Sequence, residues 1–332
     1  MIPIGPVLVT GGAGFIGSHL VDRLRADGHE VTVLDDFSTG RRANLAGRAA
    51  DAGVRVVEGS ILDPKIVDEL VGAHPLVFHL AAAVGVQNIL ADPIRSMLTN
   101  VRGTEHVLDA AMRSGSRVLL ASTSEVYGKN PAVPFTETAD RVLGPTSVQR
   151  WSYSTGKALD EHLALAYAER GLKVSIVRYF NSYGPRLDER GYGSVVARFI
   201  GQALAGRPLT VHGDGRQTRC FTFVTDTVDG TLRAGTQVAA LGRVYNIGVD
   251  REITLRELAE LIVRLTASSS QIELVPYETA YPSTAFEDPR RRVPDITRAR
   301  TELGFAPSVT LEDGLTRTIA WCRASDGAAV RS

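Results

Sequence analysis

The tightest constraint on this chain is a run of glycines seated between a strand and a helix. Val7–Thr10 is a short apolar run of the buried-strand kind. It passes straight into Gly11-Gly12-Ala13-Gly14-Phe15-Ile16-Gly17, after which helical periodicity begins. Gly11 permits a tight turn, Gly14 lets the backbone approach a pyrophosphate, and Gly17 lets the new helix pack close to the sheet. That helix then points unpaired N–H groups at the phosphates. A second strand closes on Asp35-Asp36, near the spacing of about 20 residues at which a carboxylate meets a ribose. The pattern predicts a dinucleotide site with Gly11, Gly14, Phe15, Ile16 and Gly17 at the phosphates and Asp35, beside Asp36, at the adenosine ribose. A carboxylate there repels a 2′-phosphate, which favours NAD over NADP; Arg41 and Arg42 are the cations that speak against that choice.

From Pro6 to Val177, short β-branched runs alternate with helical stretches, the pattern of a parallel sheet covered on both faces. Strands are predicted at Val7–Thr10, Glu30–Leu34, Val54–Glu58, Leu76–Leu80, Arg117–Ser122 and Lys173–Tyr179. Helices are predicted near Phe15–Asp27, Pro64–Val71, Pro93–Ser114 and Ser152–Arg170. Past Phe180 the rhythm breaks into loops rich in Gly and Pro, with a helix opened by the capping box Thr254-Leu255-Arg256-Glu257. The fold class is α/β: a Rossmann-type doubly wound parallel sheet with a smaller C-terminal α/β substrate lobe. Residues 1–180 form the first unit, 181–323 the second, interleaved with it, and 324–332 a fraying tail.

Composition narrows the function. Lys+Arg and Asp+Glu both count 37, so no global field draws in nucleic acid or an anionic membrane, and an anionic substrate must be held by a few local arginines. No apolar run approaches the roughly 18 residues that span a bilayer, and the N-terminus has no secretory pattern, so a cytoplasmic protein is expected. Cys220 and Cys322 lack metal-ligand spacing and read as reduced core thiols; no metal is expected.

Tyr153 and Lys157 are four apart on a helical stretch and so share a face. An ammonium beside a phenol favours the phenolate and lowers a tyrosine pKa from about 10 toward neutrality. Such a tyrosine can take a hydroxyl proton while the same carbon is oxidised. The chain has nine tyrosines and only four lysines, so a chance Tyr-x-x-x-Lys is expected roughly 0.1 times. His79, on a strand, reads as a packed core histidine.

Taken together, these segments resemble the extended short-chain dehydrogenases that modify nucleotide sugars. The resemblance is carried by Thr10 to Gly17, His79-Leu80-Ala81-Ala82, Ser122 to Gly128, Tyr153-Ser154-Thr155-Gly156-Lys157 and Arg178 to Pro185. It continues through Val211 to Gly215, Gln217 to Arg219 and Asp288 to Asp295, so it spans about residues 6 to 322. It implies that Leu80, Ala81, Ala82 and Tyr179 join Tyr153 and Lys157 around NAD. Asn181 would bond the sugar diphosphate, Arg219 and Arg291 would face its charge, and Leu209-Thr210-Val211 would lie along the base. It also implies a UDP-sugar substrate and a homodimer through helices Pro93–Ser114 and Ser152–Arg170.

The discriminating segment is Thr123-Ser124-Glu125. All members of such a family begin by oxidising the sugar at C4, with Tyr153 as base. A 4,6-dehydratase needs a carboxylic acid where Ser124 stands. Thr-Ser-Glu instead resembles the UDP-glucuronic acid decarboxylases: C4 oxidation makes a β-keto acid, carbon dioxide leaves, and Glu125, directly or through Ser124 or water, reprotonates C5. Reduction then gives UDP-xylose, with release of the 4-keto pentose as a variant. The run Arg150-Trp151-Ser152-Tyr153 resembles bacterial 4-epimerases instead, which keeps a UDP-sugar 4-epimerase as the alternative. A catalytically silent nucleotide-sugar-binding protein is the reading outside enzymology.

Overall fold

The computed structural model describes residues 5–48, 51–84, 92–187, 194–280 and 289–329. Seven strands form one parallel sheet: β1 (Val7–Thr10), β2 (Val31–Asp35), β3 (Val54–Glu58), β4 (Leu76–His79), β5 (Arg117–Thr123), β6 (Val174–Tyr179) and β7 (Val244–Ile247). Their order is β7-β6-β5-β4-β1-β2-β3, and every pairing is parallel. The order reverses between β1 and β4, and that reversal opens a crevice at the carboxyl ends of the strands.

Alternation along each strand supplies both faces. Val7, Val9, Val33 and Phe78 point into one apolar cluster, whereas Leu8, Leu34, Val77 and Leu120 point into the other. Helix α1 (Phe15–Ala26) covers the first face with Leu20, Val21 and Leu24. Helices α2 (Pro64–Gly72), α3 (Pro93–Ser114) and α4 (Arg150–Glu169) cover the second. The predicted elements thus recur with ends shifted by a residue or two, and Gly28 ends the first helical turn region at φ +89°.

After β6 come α5 (Val195–Leu204), α6 (Val224–Thr236) and α7 (Leu255–Thr266). Thr254 and Glu257 form the reciprocal cap of α7, with Glu257 N donating to Thr254 Oγ1 at 3.1 Å and Thr254 N to Glu257 at 2.9 Å. Strand β7 comes from this half of the chain and pairs with β6, while α6 joins the first apolar cluster through Val224, Val228 and Leu232. The two halves therefore share the sheet.

Candidate active site

A cavity of about 680 Å³ opens at the carboxyl ends of the strands. Its lining follows the strand ends in turn: Gly11 after β1, Asp35 ending β2, Leu80 after β4, Thr123 ending β5 and Tyr179 ending β6. Gly14, Phe15, Ile16, Gly17, Asp36, Ala81, Ala82, Ser124, Glu125, Tyr153, Lys157 and Asn181 also line it.

The glycine turn is a cradle that side chains would fill. Gly11 sits at φ +72°, and a Cβ there would lie 2.7 Å from the Ala81 nitrogen; one on Gly17 would lie 2.2 Å from the Gly11 oxygen. The turn is braced from β2, because Ala13 N donates to Asp35 Oδ2 and Phe37 N to Asp35 Oδ1, both at 2.9 Å. Asp35 is buried, which raises its carboxyl above the ordinary value against these two bonds. Each oxygen keeps a further lone pair for a ribose hydroxyl. Arg42 is engaged with Glu58 and stacks over Phe37. Asn100 on α3 fixes the loop after Ala82, accepting from Ala83 N at 2.7 Å. These features fit a dinucleotide: a glycine cradle at a helix N-terminus for the pyrophosphate, and a buried carboxylate where a 2′-phosphate would otherwise sit.

Tyr153 and Lys157 face the same cavity from α4, as the spacing predicts. Their electrostatics differ from the expectation. Burial, the Glu125 charge and the Asp160 charge push the Tyr153 phenol above its usual range. Lys157 donates to Asp160 Oδ2 at 3.1 Å, so its charge is shared with a carboxylate. The lowered tyrosine expected from Lys157 alone is not a property of these residues by themselves. His79 is a core residue, held between Thr10 and Thr104 hydroxyls and pushed down to about 3 by burial and then by Lys157.

Thr123 caps the turn Ser124–Tyr127, accepting from Glu125 N at 3.2 Å. That turn delivers Ser124 and Glu125 to the cavity. Two buried arginines meet Glu125 there: Arg292 donates at 2.7 Å and Arg150, at the start of α4, at 3.4 Å. Burial alone would raise the Glu125 carboxyl, but Arg292, Arg150 and more distantly Arg219 outweigh it and hold it at about 2. The two guanidinium groups thus favour the ionised form of Glu125 in the cavity. Neither Arg150 nor Arg292 was read from the sequence as a site residue. Arg292 is brought in by a segment laced to Phe135, with Phe135 N donating to Val293 O and Asp295 N to Phe135 O, both at 2.8 Å.

Other expected substrate residues fall elsewhere. Arg291 is more than half exposed and pairs with Glu252, its Nε donating at 3.0 Å, so the neighbour Arg292 takes the cavity position. Leu209 and Val211 are fully buried in the core, because alternation on their strand turns them inward; neither lines this cavity. Arg219 is buried and donates to Thr218 O at 2.7 Å, outside the lining but close enough for its charge to act on Glu125.

Residues 7–248 match the profile of the NAD dependent epimerase/dehydratase family. The chain belongs to that family. It is 46% identical over 319 residues to a UDP-N-acetyl-alpha-D-glucosaminuronate decarboxylase of Bacillus cytotoxicus, covering 95% of this chain and 97% of the relative. It is 39% identical over 316 residues to UDP-glucuronic acid decarboxylase 1 of Danio rerio, covering 95% and 72%. Among solved structures it resembles the UDP-glucose 4-epimerase of Thermotoga maritima with UDP-glucose, at TM-score 0.87 and 33% identity over 96% of this chain and 99% of that one. A dTDP-glucose 4,6-dehydratase of Streptomyces venezuelae, with NAD bound, matches at TM-score 0.87 and 32% identity over 97% and 98%. The family is NAD-dependent, and NAD is the cofactor.

Proposed function

We propose that the chain is an NAD-dependent decarboxylase of a UDP-linked uronic acid, acting on UDP-glucuronate to give UDP-xylose. The observation that carries this reading is the cluster of Glu125 with Arg150 and Arg292 beside Tyr153. Two guanidinium groups and one carboxylate meet in the cavity close to the proposed base. Guanidinium groups are forked donors suited to a uronate carboxylate. The names of the relatives at 46% and 39% identity support the same chemistry.

When bound, oxidised NAD supplies the oxidant for a sugar carbinol, holds the electrons until their return, and adds positive charge to a site whose residues otherwise leave Tyr153 protonated. Tyr153 takes the proton of the C4 hydroxyl, and Thr123, able to donate while its oxygen accepts from Glu125 N, steadies the oxygen that becomes the ketone. The β-keto acid then sheds carbon dioxide, its bonding electrons passing to the ketone as an enolate. Arg150 and Arg292 orient the departing carboxylate. Ionised Glu125 orders those guanidinium groups and, with Ser124, holds the water that delivers a proton to C5. Gly11, Gly14 and Gly17 with the first turn of α1 hold the pyrophosphate of NAD, Asp35 its ribose, and Leu80, Ala81, Ala82 and Tyr179 the remaining wall. Asn181 and Arg219 serve the sugar diphosphate side.

The two decarboxylase relatives differ at the C2 substituent of the sugar, so incubation is run with UDP-glucuronate and with UDP-N-acetylglucosaminuronate. Mass spectrometry decides: a product lighter by carbon dioxide supports decarboxylation. A product of unchanged mass from either supports the 4-epimerase reading, which the fold's likeness to a UDP-glucose 4-epimerase favours. We further propose a homodimer through α3 and α4, which expose Ile94 (67%), Leu159 (44%), Leu98, Met97 and Met112. We also propose that residues 1–180 serve the cofactor and 181–323 the substrate, two halves that share one sheet.

A further inference from the structure

Below the reacting groups lies a carboxylate that the steps above leave idle. Tyr153, Lys157 and Asp160 stand at i, i+4 and i+7 on α4, so they form one stripe of that helix. Lys157 is 3% exposed and Asp160 0%, and Lys157 Nζ reaches Asp160 Oδ2 at 3.1 Å. The other oxygen, Oδ1, has no hydrogen-bond partner among the described residues. A buried ion pair is weak support for a fold, and an unpaired buried oxygen costs it stability. The charged group that Asp160 meets by geometry is the Lys157 ammonium.

From β4 comes His79, neutral, with the Thr10 and Thr104 hydroxyls on its two nitrogens. From α3 comes Thr104, which also favours the charged form of Asp160 against the larger effect of burial. Glu161, next along α4, is bound by Arg178 of β6. The turn after β5 brings Glu125, which meets Arg150 from the start of α4 and Arg292 from the segment laced to Phe135.

We propose that Asp160 is a positioning residue for the Tyr153–Lys157 pair, anchoring the ammonium and tempering the positive charge that reaches Tyr153. The inference rests on Tyr153 being the base that opens the reaction. After burial and Glu125, the Asp160 charge is what pushes the Tyr153 phenol upward. Removing it lets Tyr153 ionise at lower pH, so the acid limb of the rate profile moves down.

The test uses full-length, NAD-loaded enzyme and UDP-glucuronate, reading single-turnover NADH formation against pH. In Asp160→Asn the acid limb should fall by about half a pH unit or more, roughly a threefold gain on that limb relative to the variant's own plateau. Asp160→Glu keeps the charge but displaces it, so its limb should stay in place while its plateau rate falls. A limb that is unmoved or raised in Asp160→Asn overturns the proposal. If that variant does not fold, an Asp160→Glu enzyme with the wild-type plateau overturns it instead. Tyr153→Phe separates this from the reading beneath it. NADH formation surviving in Tyr153→Phe removes Tyr153 as base, whereas an inactive Tyr153→Phe with an unmoved Asp160→Asn limb removes Asp160 alone. The mass of the product judges decarboxylation independently of both.

Discussion

Arg290, Arg291 and Arg292 are consecutive, and each finds a different carboxylate: Asp214, Glu252 and Glu125. Three arginines in a row carry no sign of which one turns inward, so the sequence pointed to Arg291 and the cavity holds Arg292. The deciding contact is the bond of Val293 and Asp295 to Phe135, far off in the chain and silent in local pattern. Glycines and the Tyr153–Lys157 spacing were legible because their demand is local: a turn without Cβ atoms, a pair one helical turn apart. Glu125 itself makes a residue-scale prediction. Its carboxyl is held at about 2 in the fold against an ordinary 4.5, so the stabilisation it brings is full above that ordinary value and is lost as pH falls toward 2. Glu125→Gln should therefore be less stable than wild type at neutral pH by about 2–4 kcal/mol, since it removes the carboxylate that two buried guanidinium groups share. Denaturant melts at neutral and at acidic pH should show that gap shrinking on acidification. A gap that ignores pH would take Glu125 out of the ion cluster.

Helix α4 carries Tyr153 and Lys157, and its seating is set by a second buried ion pair. Arg178 on β6 clasps Glu161 through Nε at 2.9 Å and Nη2 at 2.6 Å, and Ser122 on β5 donates to the same carboxylate. These bonds tie the helix to the two strands whose ends deliver Thr123 and Tyr179. Glu161→Ala should destabilise the protein by about 3–5 kcal/mol, as breaking a buried pair from one side does. It should also lower turnover more than NAD affinity, because the glycine cradle stands on α1 and not on α4. Thermal melts, NAD titration and turnover together check this, and an unchanged melting temperature would contradict it. Most elements were legible from period and punctuation. Strand β7 was not: Val244–Ile247 is four residues long, follows the break in rhythm, and gains its place only by pairing with β6. For the same reason a cut at residue 180 runs through a shared sheet.

At the scale of the whole molecule, the formal charge is zero, so recognition of an anionic substrate falls to the arginines gathered at one end of the sheet. The exposed apolar residues of α3 and α4 make a separate prediction. Ile94→Glu combined with Leu159→Arg should turn a dimer into monomers in light scattering, and a wild-type protein already monomeric would refute the dimer. The central claim concerns the bond that breaks in the cavity. Wild-type enzyme turning over UDP-glucuronate in deuterium oxide should release a UDP-pentose lighter by carbon dioxide, with one deuterium at C5 and no lasting NADH absorbance. A UDP-hexuronate of the substrate's own mass, free of deuterium, would contradict decarboxylation and make the enzyme a 4-epimerase.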